Sequence, residues 1–397
     1  MAKLVDAPDL GSGVAIRGGS SPFLGTSRFL IVLLSGLLAH QASAAVLSVG
    51  PKGRFPTIQS ASLAARDGDE IVIAAGDYRA DTAVWFQDRL TIRAEGGPVR
   101  LWVDGVSAER KAIWVVRGGN IRVEGIEFHQ AHVPDRNGAG IRFERGQLLI
   151  RNCRFLDNEN GILTADDAAA SLTIQDSEFG RNGDGSGKTH NLYVGHIARL
   201  EVTGSYFHHA NMGHLLKSRA AHNLIAWNRL DDGEEGRASY ELEFPDGGEA
   251  QVIGNLIRQS STTQNRTLIS YGAESTVYKD NRLLLMHNTL VSEAGGDFLV
   301  VRKGAPQLAA WNNVLLGTAE WKLPQPAIES GTAKAVASDF PGLTRGDYRP
   351  RSTASWLGKA PTLPTGAPRL QYQHRFPLGL ETLAMPATTA GYLQPIR

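Results

Sequence analysis

The sequence predicts an all-β solenoid in which each repeat of roughly 25 residues forms one coil of short parallel strands. Three observations lead to this fold class. Pairs of large apolar residues recur five positions apart, and their second members, at intervals of 27, 24, 28, 23, 27, 33 and 25 residues, are Phe128, Phe155, Phe179, Phe207, Leu230, Ile257, Leu290 and Leu315. Two positions earlier, four consecutive repeats carry an asparagine, as expected for a ladder of stacked carboxamides at a bend: Asn228, Asn255, Asn288 and Asn313. The chain also contains 44 glycines in 397 residues, which favours many turns.

Composition and repeat length exclude other repeat folds and some classes of binding partner. A leucine-rich repeat is excluded because the helical half of each repeat is missing, and a propeller because the period is too short for four strands per blade. Lys and Arg total 41 against 40 Asp and Glu, so the net charge of +1 gives no overall field for binding nucleic acid or an anionic membrane. The single cysteine, Cys153, cannot pair within the chain and is predicted to be a small buried residue.

Residues 1–44 are predicted to comprise an N-terminal extension, whose translation is doubtful, and a secretion signal. The run FLIVLLSGLLA at residues 29–39 is too short to span a bilayer, and it lies between Arg17 and Arg28 on one side and Ala42-Ser43-Ala44 on the other. This pattern is typical of a signal cleaved after about Ala44. We therefore expect a secreted or periplasmic protein without membrane contact after signal removal; a single membrane anchor is the alternative. The leading MAKLVDAPDLGSG, residues 1–13, has neither the charge nor the hydrophobicity of a signal start, which suggests a misplaced start codon.

Residues 47–78 are predicted to form a cap on the solenoid. Thr57 can cap a short helix that ends near Gly68. The apolar stripe of this helix, and the strand and turn that follow, comprise Ile58, Ala61, Leu63, Ala64, Ile71–Ala74 and Gly76-Asp77. This order resembles the N-terminal cap of right-handed parallel β-helix proteins of the pectin-lyase-like superfamily, in which a helix plugs the open end of the coil. The resemblance implies a single right-handed parallel β-helix over residues 45–320. The segment 321–397, rich in Pro and Gly, is similar to the irregular C-terminal cover of secreted β-helix proteins.

A second short strand in each repeat brings a candidate site together. These strands are predicted at residues 140–143, 160–163, 191–194, 214–217, 239–243, 267–270 and 297–300. In a solenoid, equivalent strands stack into one parallel sheet, so outward side chains from distant repeats become neighbours. Most histidines fall within residues 187–248, and strand alternation there directs five functional side chains outward on adjacent coils: Tyr193, Lys217, Arg219, Glu241 and Glu243.

The residue types in this stretch suit cleavage of an acidic polysaccharide by β-elimination. That reaction removes a proton beside a uronate carboxylate, so a cation must neutralise the carboxylate and stabilise the enolate-like intermediate. A guanidinium matches the two carboxylate oxygens, and a neighbouring cation lowers the pKa of a lysine base. The candidate catalytic residues are therefore Arg219 for the clamp, Lys217 or His214 for the base, and Tyr193 or His190 for the acid. The candidate substrate-binding residues are His196, Glu241 and Tyr271.

The combination of Lys217, Arg219 and a Glu-x-Glu strand is similar to that of chondroitinase B and related alginate lyases. Those β-helix enzymes use a lysine and an arginine together with a calcium-binding Glu-x-Glu strand. The resemblance implies that Glu241 and Glu243 bind Ca²⁺, which would bridge to the substrate. The alternative is that these glutamates pair with Lys217 and Arg219 as an exposed charge ladder, contributing about 1 kcal/mol or less per pair.

Two further functions remain open. A glycoside hydrolase could use paired carboxylates on the same scaffold, although Asp231, Asp232 and Asp246 are expected in loops. A non-catalytic glycan-binding or cell-surface protein is also compatible, because a fold does not determine an activity. The histidine spacing does not suit zinc. The expected partner is an acidic polysaccharide, the protein is expected to be a monomer, and no cofactor besides Ca²⁺ is implied.

Overall fold

The β-solenoid is built from coils of three short strands each, as seen in a computed structural model that describes residues 44–304, 306–383 and 387–395. The helical segments are α1 (Ile58–Ala64) and two 3-10 turns, Ala337–Asp339 and Leu343–Arg345. The strands, in chain order, are β1 (Val46–Val49), β2 (Glu70–Arg79), β3 (Ala83–Trp85), β4 (Arg89–Trp102), β5 (Ala112–Val116), β6 (Asn120–Glu124), β7 (Ile126–His129), β8 (Ala139–Phe143), β9 (Gln147–Arg151), β10 (Arg154–Leu156), β11 (Asn160–Thr164), β12 (Asp167–Gln175), β13 (Glu178–Gly180), β14 (Leu192–Val194), β15 (Ile197–Thr203), β16 (Tyr206–His208), β17 (Leu216–Ser218), β18 (His222–Ala226), β19 (Arg229–Asp231), β20 (Leu242–Phe244), β21 (Glu249–Ile253), β22 (Leu256–Gln259), β23 (Thr267–Tyr271), β24 (Arg282–Met286), β25 (Thr289–Ser292), β26 (Asp297–Val301), β27 (Gln307–Trp311), β28 (Val314–Gly317), β29 (Ala327–Ser330), β30 (Ala333–Ala335), β31 (Tyr372–His374) and β32 (Leu380–Thr382).

Equivalent strands of successive coils pair in parallel. One 21-stranded sheet contains the first two strands of each coil, which are separated by a bend, and one nine-stranded sheet contains the third strand, from β3 through β26. We call the nine-stranded sheet the site sheet. The predicted fold class, a right-handed parallel β-helix, is confirmed.

The predicted repeat register is confirmed residue by residue. Phe128, Phe155, Phe179 and Phe207 are aligned partners on neighbouring coils, and their rings stack in the core with centroids 4.7–4.9 Å apart. The asparagine ladder also forms: the Nδ2 of Asn228 donates to Oδ1 of Asn255 at 3.1 Å, and the same contact links Asn255 to Asn288. Core aromatic stacking and the ladder together fix which residues lie side by side on successive coils.

The N-terminal cap differs in detail from the expectation. Thr57 does cap α1, accepting a hydrogen bond from the backbone N–H of Ser60. The helix ends at Ala64 rather than near Gly68, and Leu63, predicted to belong to the apolar stripe, is exposed. The turn predicted at Gly76-Asp77 is instead a register shift within β2, because this long strand pairs with β4 on both sides of the irregularity. Cys153 is buried as predicted, and burial raises the pKa of its thiol to about 12.

The C-terminal segment packs along the outside of the 21-stranded sheet. The parallel strands continue past residue 320, since β29 and β30 extend the sheet to Ala335. Beyond them, Leu370 packs against Ala226, Ile253 and Met286 on consecutive coils. The division of the chain into domains stays a prediction, and the expected signal at residues 29–39 lies outside the described residues. Within the described residues, no helix is both long and apolar enough to cross a membrane.

Candidate functional site

A single column of outward side chains runs along the site sheet. The strand register aligns its members, one from each successive coil: Val115, Arg142, Leu163, Tyr193, Lys217, Glu243 and Ser270. Neighbouring members are separated by one strand spacing, about 4.8 Å. The predicted juxtaposition of Tyr193, Lys217 and Glu243 is therefore present, and it follows directly from coil stacking.

Two cations lie over the Tyr193 ring. The Nζ of Lys217 is 5.8 Å and the guanidinium carbon of Arg219 is 5.9 Å from the ring centroid. Arg219 directly follows β17, and its Nε donates a hydrogen bond of 3.1 Å to the Tyr193 hydroxyl oxygen. The cations thus attract both the face and the oxygen of this tyrosine.

A glutamate from a loop joins the two cations. Glu274 belongs to the loop at residues 272–281, which follows β23. Its Oε1 lies 2.8 Å from the Nζ of Lys217, and its Oε2 lies 2.6 Å from Nη2 of Arg219. Burial acts to raise the pKa of Glu274, but the hydrogen bonds from Lys217 and Arg219 outweigh the effect of burial. The pKa is therefore lowered, and the side chain is a carboxylate. Lys217 and Arg219 are therefore spaced to hold both oxygens of one carboxylate.

The pKa of Lys217 is raised, contrary to the expectation that Arg219 would lower it. Burial and Arg219 both act to lower it, but the carboxylates of Glu243 and Glu274 outweigh them. The Nζ of Lys217 lies 3.2 Å from Oε2 of Glu243, in addition to its contact with Glu274. A lysine held charged by two carboxylates is a cationic binding group rather than a base.

His214 and His190 form a stacked pair at the edge of the column. Their rings are 4.4 Å apart, and Nδ1 of His190 accepts the backbone N–H of His214, while Nδ1 of His214 accepts the backbone N–H of Tyr240. Burial lowers the pKa of both imidazoles, so they are neutral and carry their proton on Nε2. The Nε2 of His214 faces Oε2 of Glu243 at 3.0 Å. Neither ring therefore has a free lone pair with which to accept a substrate proton.

Asp246 connects the cation pair to His196. Its Oδ2 lies 2.5 Å from Nη1 of Arg219 and 2.9 Å from Nε2 of His196, and its Oδ1 accepts a hydrogen bond from Ser275. Burial acts to raise the pKa of Asp246, but the hydrogen bonds from Ser275 and Arg219 have the larger effect. The pKa is therefore lowered, and the side chain is a carboxylate. The other ring nitrogen of His196 lies 3.2 Å from Asp166. His196 is thus on the rim of the site, held between two acids.

Two of the predicted site residues are not in the groove. Glu241 was expected to point outward, but it precedes β20 and turns away from the column; it is fully buried and its Oε2 accepts from Nε2 of Gln259. Burial raises its pKa well above the usual value, which favours the neutral acid over the carboxylate. Tyr271 is also fully buried, and its hydroxyl donates to the carbonyl of Gly248 at 2.6 Å, which leaves it no access to a substrate.

The positions of the two glutamates bear on the expected calcium site. Glu243 contacts His214 and Lys217, whereas Glu241 lies against Gln259, so their carboxyl groups do not converge. The described part of the chain contains no cluster of three or more His, Cys, Asp or Glu residues suited to a metal ion. One neutral carboxyl and one carboxylate held by a cation do not fit Ca²⁺, which prefers several oxygen ligands. Calcium dependence stays a prediction without support from these residues.

Sequence reasoning missed Glu274 and the importance of Asp246. A signal for Glu274 was present in the repeat lengths, because the longest interval, 33 residues between Ile257 and Leu290, contains the loop at residues 272–281. Extra residues in one repeat of a solenoid form a loop on one face, often the binding face. Nothing local to Glu274 indicates its contacts, since these depend on how far the loop folds back over two earlier coils.

Comparisons with known proteins agree with this architecture. The family model for a right-handed beta helix region matches residues 92–230. The crystal structure of pectate lyase Pel9A is similar with a TM-score of 0.59 and 12% sequence identity, covering 89% of this chain and 96% of that chain. The structure of the PL6 family alginate lyase AlyGC matches with a TM-score of 0.35 and 14% identity, covering 75% of this chain and 38% of that chain.

At 12% identity, the likeness to Pel9A establishes the fold. The chain therefore has the right-handed parallel β-helix fold. The right-handed parallel β-helix that the resemblance implied is confirmed.

The buried acid Glu241 gives a test of the site geometry. Its pKa is higher in the folded than in the unfolded protein, so the stability that it contributes is complete below about pH 4 and is lost as the pH rises through the folded-state pKa. Glu241→Gln removes this titration. We expect the free energy of unfolding of the variant, relative to wild type, to increase above about pH 4 by at most ~1.4 kcal/mol per pH unit.

Urea unfolding over a pH series measures this difference. Glu235→Gln is the matched control, because Glu235 is an exposed glutamate of the same region. A constant difference between Glu241→Gln and wild type across the series would mean that Glu241 is not a buried neutral acid.

Proposed function

We propose that the protein is a polysaccharide lyase that cleaves a uronate-containing polysaccharide by β-elimination. The observation that carries this proposal is the contact of Glu274 with Lys217 and Arg219: an internal carboxylate occupies a two-cation clamp beside a tyrosine hydroxyl. In the reaction, the carboxylate of a uronate residue takes the place of Glu274. Lys217 and Arg219 then neutralise it and stabilise the negative charge that develops when the adjacent carbon loses its proton.

Tyr193 is the proposed proton-transfer group. The reacting form is the Tyr193 phenolate, whose own proton has gone to solvent. Its oxygen accepts the Nε–H of Arg219, which stabilises the negative charge until the oxygen takes the proton from the carbon next to the carboxylate. The electron pair of the broken C–H bond forms the carbon–carbon double bond, and the glycosidic C–O bond breaks on the other side. Tyr193 returns the proton to the departing oxygen, which balances the step.

The electrostatics of the cluster favour elimination over hydrolysis. A glycoside hydrolase needs one carboxyl group that is protonated at the working pH. The pKa values of Glu243, Glu274 and Asp246 are all lowered by their basic and hydroxyl partners. Burial raises the pKa of Asp232 to about 7, but this residue is fully buried and its carboxylate accepts the backbone N–H groups of Ala210 and Ala238.

We also propose that the protein is exported. The support is the apolar run at residues 29–39 and the small residues after it. A polysaccharide substrate outside the cytoplasm is compatible with this location. The monomeric state stays a prediction.

The products identify the reaction class. When wild-type protein is incubated with polygalacturonate, alginate and chondroitin sulfate, we expect at least one to yield new reducing ends together with the ultraviolet absorbance of an unsaturated uronate. Reducing ends without this absorbance would indicate a hydrolase, and binding without either product would indicate a non-catalytic glycan-binding protein.

Tyr193→Phe tests the proton-transfer role. The substitution removes only the hydroxyl, so we expect kcat to fall by about 10²–10⁴ while substrate affinity changes little. The matched control is Tyr240→Phe, because Tyr240 precedes β20, two coils from Tyr193, and its ring packs against His214. Unchanged kcat in Tyr193→Phe would remove this residue from the mechanism.

Glu274→Gln tests whether the loop carboxylate competes with the substrate. The amide retains the shape of the side chain but loses its charge, so the clamp should take a substrate carboxylate more readily. We expect KM for the acidic polysaccharide to fall by up to about tenfold, equivalent to ~1.4 kcal/mol, with kcat little changed.

Asp280→Asn is the control for Glu274→Gln, since Asp280 is an exposed acid of the same loop. A rise in KM in Glu274→Gln, or an equal effect of both variants, would contradict competition at the clamp.

A further inference from the structure

Two adjoining cavities lie on the site sheet beside Tyr193. One, of about 390 Å³, extends to Tyr193 and Lys188, and the other, of about 370 Å³, extends to Arg110 and Lys111. They share three lining residues, Asn137, Arg142 and Leu163. Because Arg142 lines both, its side chain lies between them, and the two cavities form one trench that leads to the proposed reaction site.

Arg142 differs from the other cations of the column. Lys217 and Arg219 each contact two carboxylates at 3.2 Å or less. Among the described residues, Arg142 has no carboxylate within ion-pair distance, and its buried Nε has no hydrogen-bond partner. Glu144 and Asp166 act on it only at longer range.

The apolar surroundings of Arg142 increase the energetic cost of leaving its guanidinium without a carboxylate partner. Its aligned neighbours on the coils before and after are Val115 and Leu163, both buried members of an apolar cluster on the outer face of the site sheet. Burial lowers the pKa of Arg142, but a guanidinium remains charged at neutral pH. A partly desolvated cation without a counterion is costly, and an anionic ligand that supplies acceptors for the guanidinium offsets that cost.

The position of Arg142 also matches the direction of the column. Arg142 and Tyr193 are separated only by Leu163, so they are two coils apart, about 10 Å along the solenoid axis. A polymer lying along the trench could therefore reach both residues. The exposed amide side chain of Asn137 lines both cavities and can hydrogen-bond sugar hydroxyls.

We propose that Arg142 is an anion-binding subsite that holds a carboxylate of the same polysaccharide chain, away from the sugar whose bond is cleaved at Tyr193. The proposal rests on the proposed function and extends it: the substrate carries acidic groups on more than one sugar, and it runs from the clamp toward Arg142 and Arg110. Arg142 contributes to binding of long chains and not to proton transfer.

Binding to a non-cleaving protein tests this subsite without requiring the lyase reaction. In the Tyr193→Phe background, the Kd for size-fractionated oligomers of polygalacturonate and alginate is measured by calorimetry, with and without Arg142→Gln. We expect Arg142→Gln to weaken binding of long oligomers about tenfold and of disaccharides less than twofold. Arg142→Lys, which keeps the charge but not the planar fork, should retain part of the affinity.

Arg282→Gln is the matched control, because Arg282 is an exposed arginine on β24 of the other sheet and makes no ion pair in the described structure. Equal effects of Arg142→Gln and Arg282→Gln would overturn the subsite, as would equal weakening for disaccharides and long oligomers, or no binding of either polysaccharide. Selective weakening with no unsaturated product from the wild type would retain the subsite and reject the lyase reaction.

Discussion

In-register stacking of coils is the constraint on which the rest of this structure depends. A parallel strand pair fixes the neighbour of every residue, and a slip by one position would turn each outward side chain into the core. Here the stacked rings of Phe128, Phe155, Phe179 and Phe207 prevent such a slip on one side of the coil. On the later coils the asparagine ladder prevents it, at the bend just before the equivalent core position, since its carboxamides bond from coil to coil. The register of Tyr193, Lys217 and Glu243 is a consequence of packing elsewhere in the same coils.

The charges of the site are balanced without a ligand. Lys217 and Arg219 are partly buried, and three carboxylates, Glu243, Glu274 and Asp246, offset their desolvation. Of the three, Glu274 is the most exposed and belongs to a loop, whereas Glu243 and Asp246 are nearly fully buried. The carboxylate that a substrate would replace is therefore the one whose displacement disturbs the fold least. At Arg142, by contrast, no carboxylate of the described structure lies within ion-pair distance to offset the desolvation of the guanidinium.

Much of the fold could be predicted because the repeats carry their register in the sequence. Spacing of Phe and Asn residues identified aligned positions, and alternation placed Tyr193, Lys217 and Glu243 outward. A second ladder, from Asn158 through Asn182 to Asn191, was not predicted. Asn158 and Asn182 each lie three residues after a core phenylalanine, but Asn191 comes from a different position in its repeat, so the spacing does not extend over three coils.

The candidate site could be predicted only where regular strands determine direction. Glu241 lies one residue before β20, where the chain is a bend, so the alternation that held for Glu243 did not extend to it. Tyr271 ends β23 and points into the core with Phe244 as its aligned neighbour. Glu274 and Asp246 are in loops whose paths depend on tertiary contacts, and the pKa of Lys217 depends on Glu274. The sequence thus indicated where cations and proton carriers gather, whereas the carboxylates that control them required the structure.

The most direct test of the central claim is a crystal structure of Tyr193→Phe with a uronate oligomer bound. The account predicts that a uronate carboxylate lies within hydrogen-bond distance of both Nζ of Lys217 and Nη2 of Arg219, in the position now held by Glu274, with the adjacent carbon facing the ring of residue 193. An oligomer bound elsewhere on the solenoid, with Glu274 still between the two cations, would contradict the account.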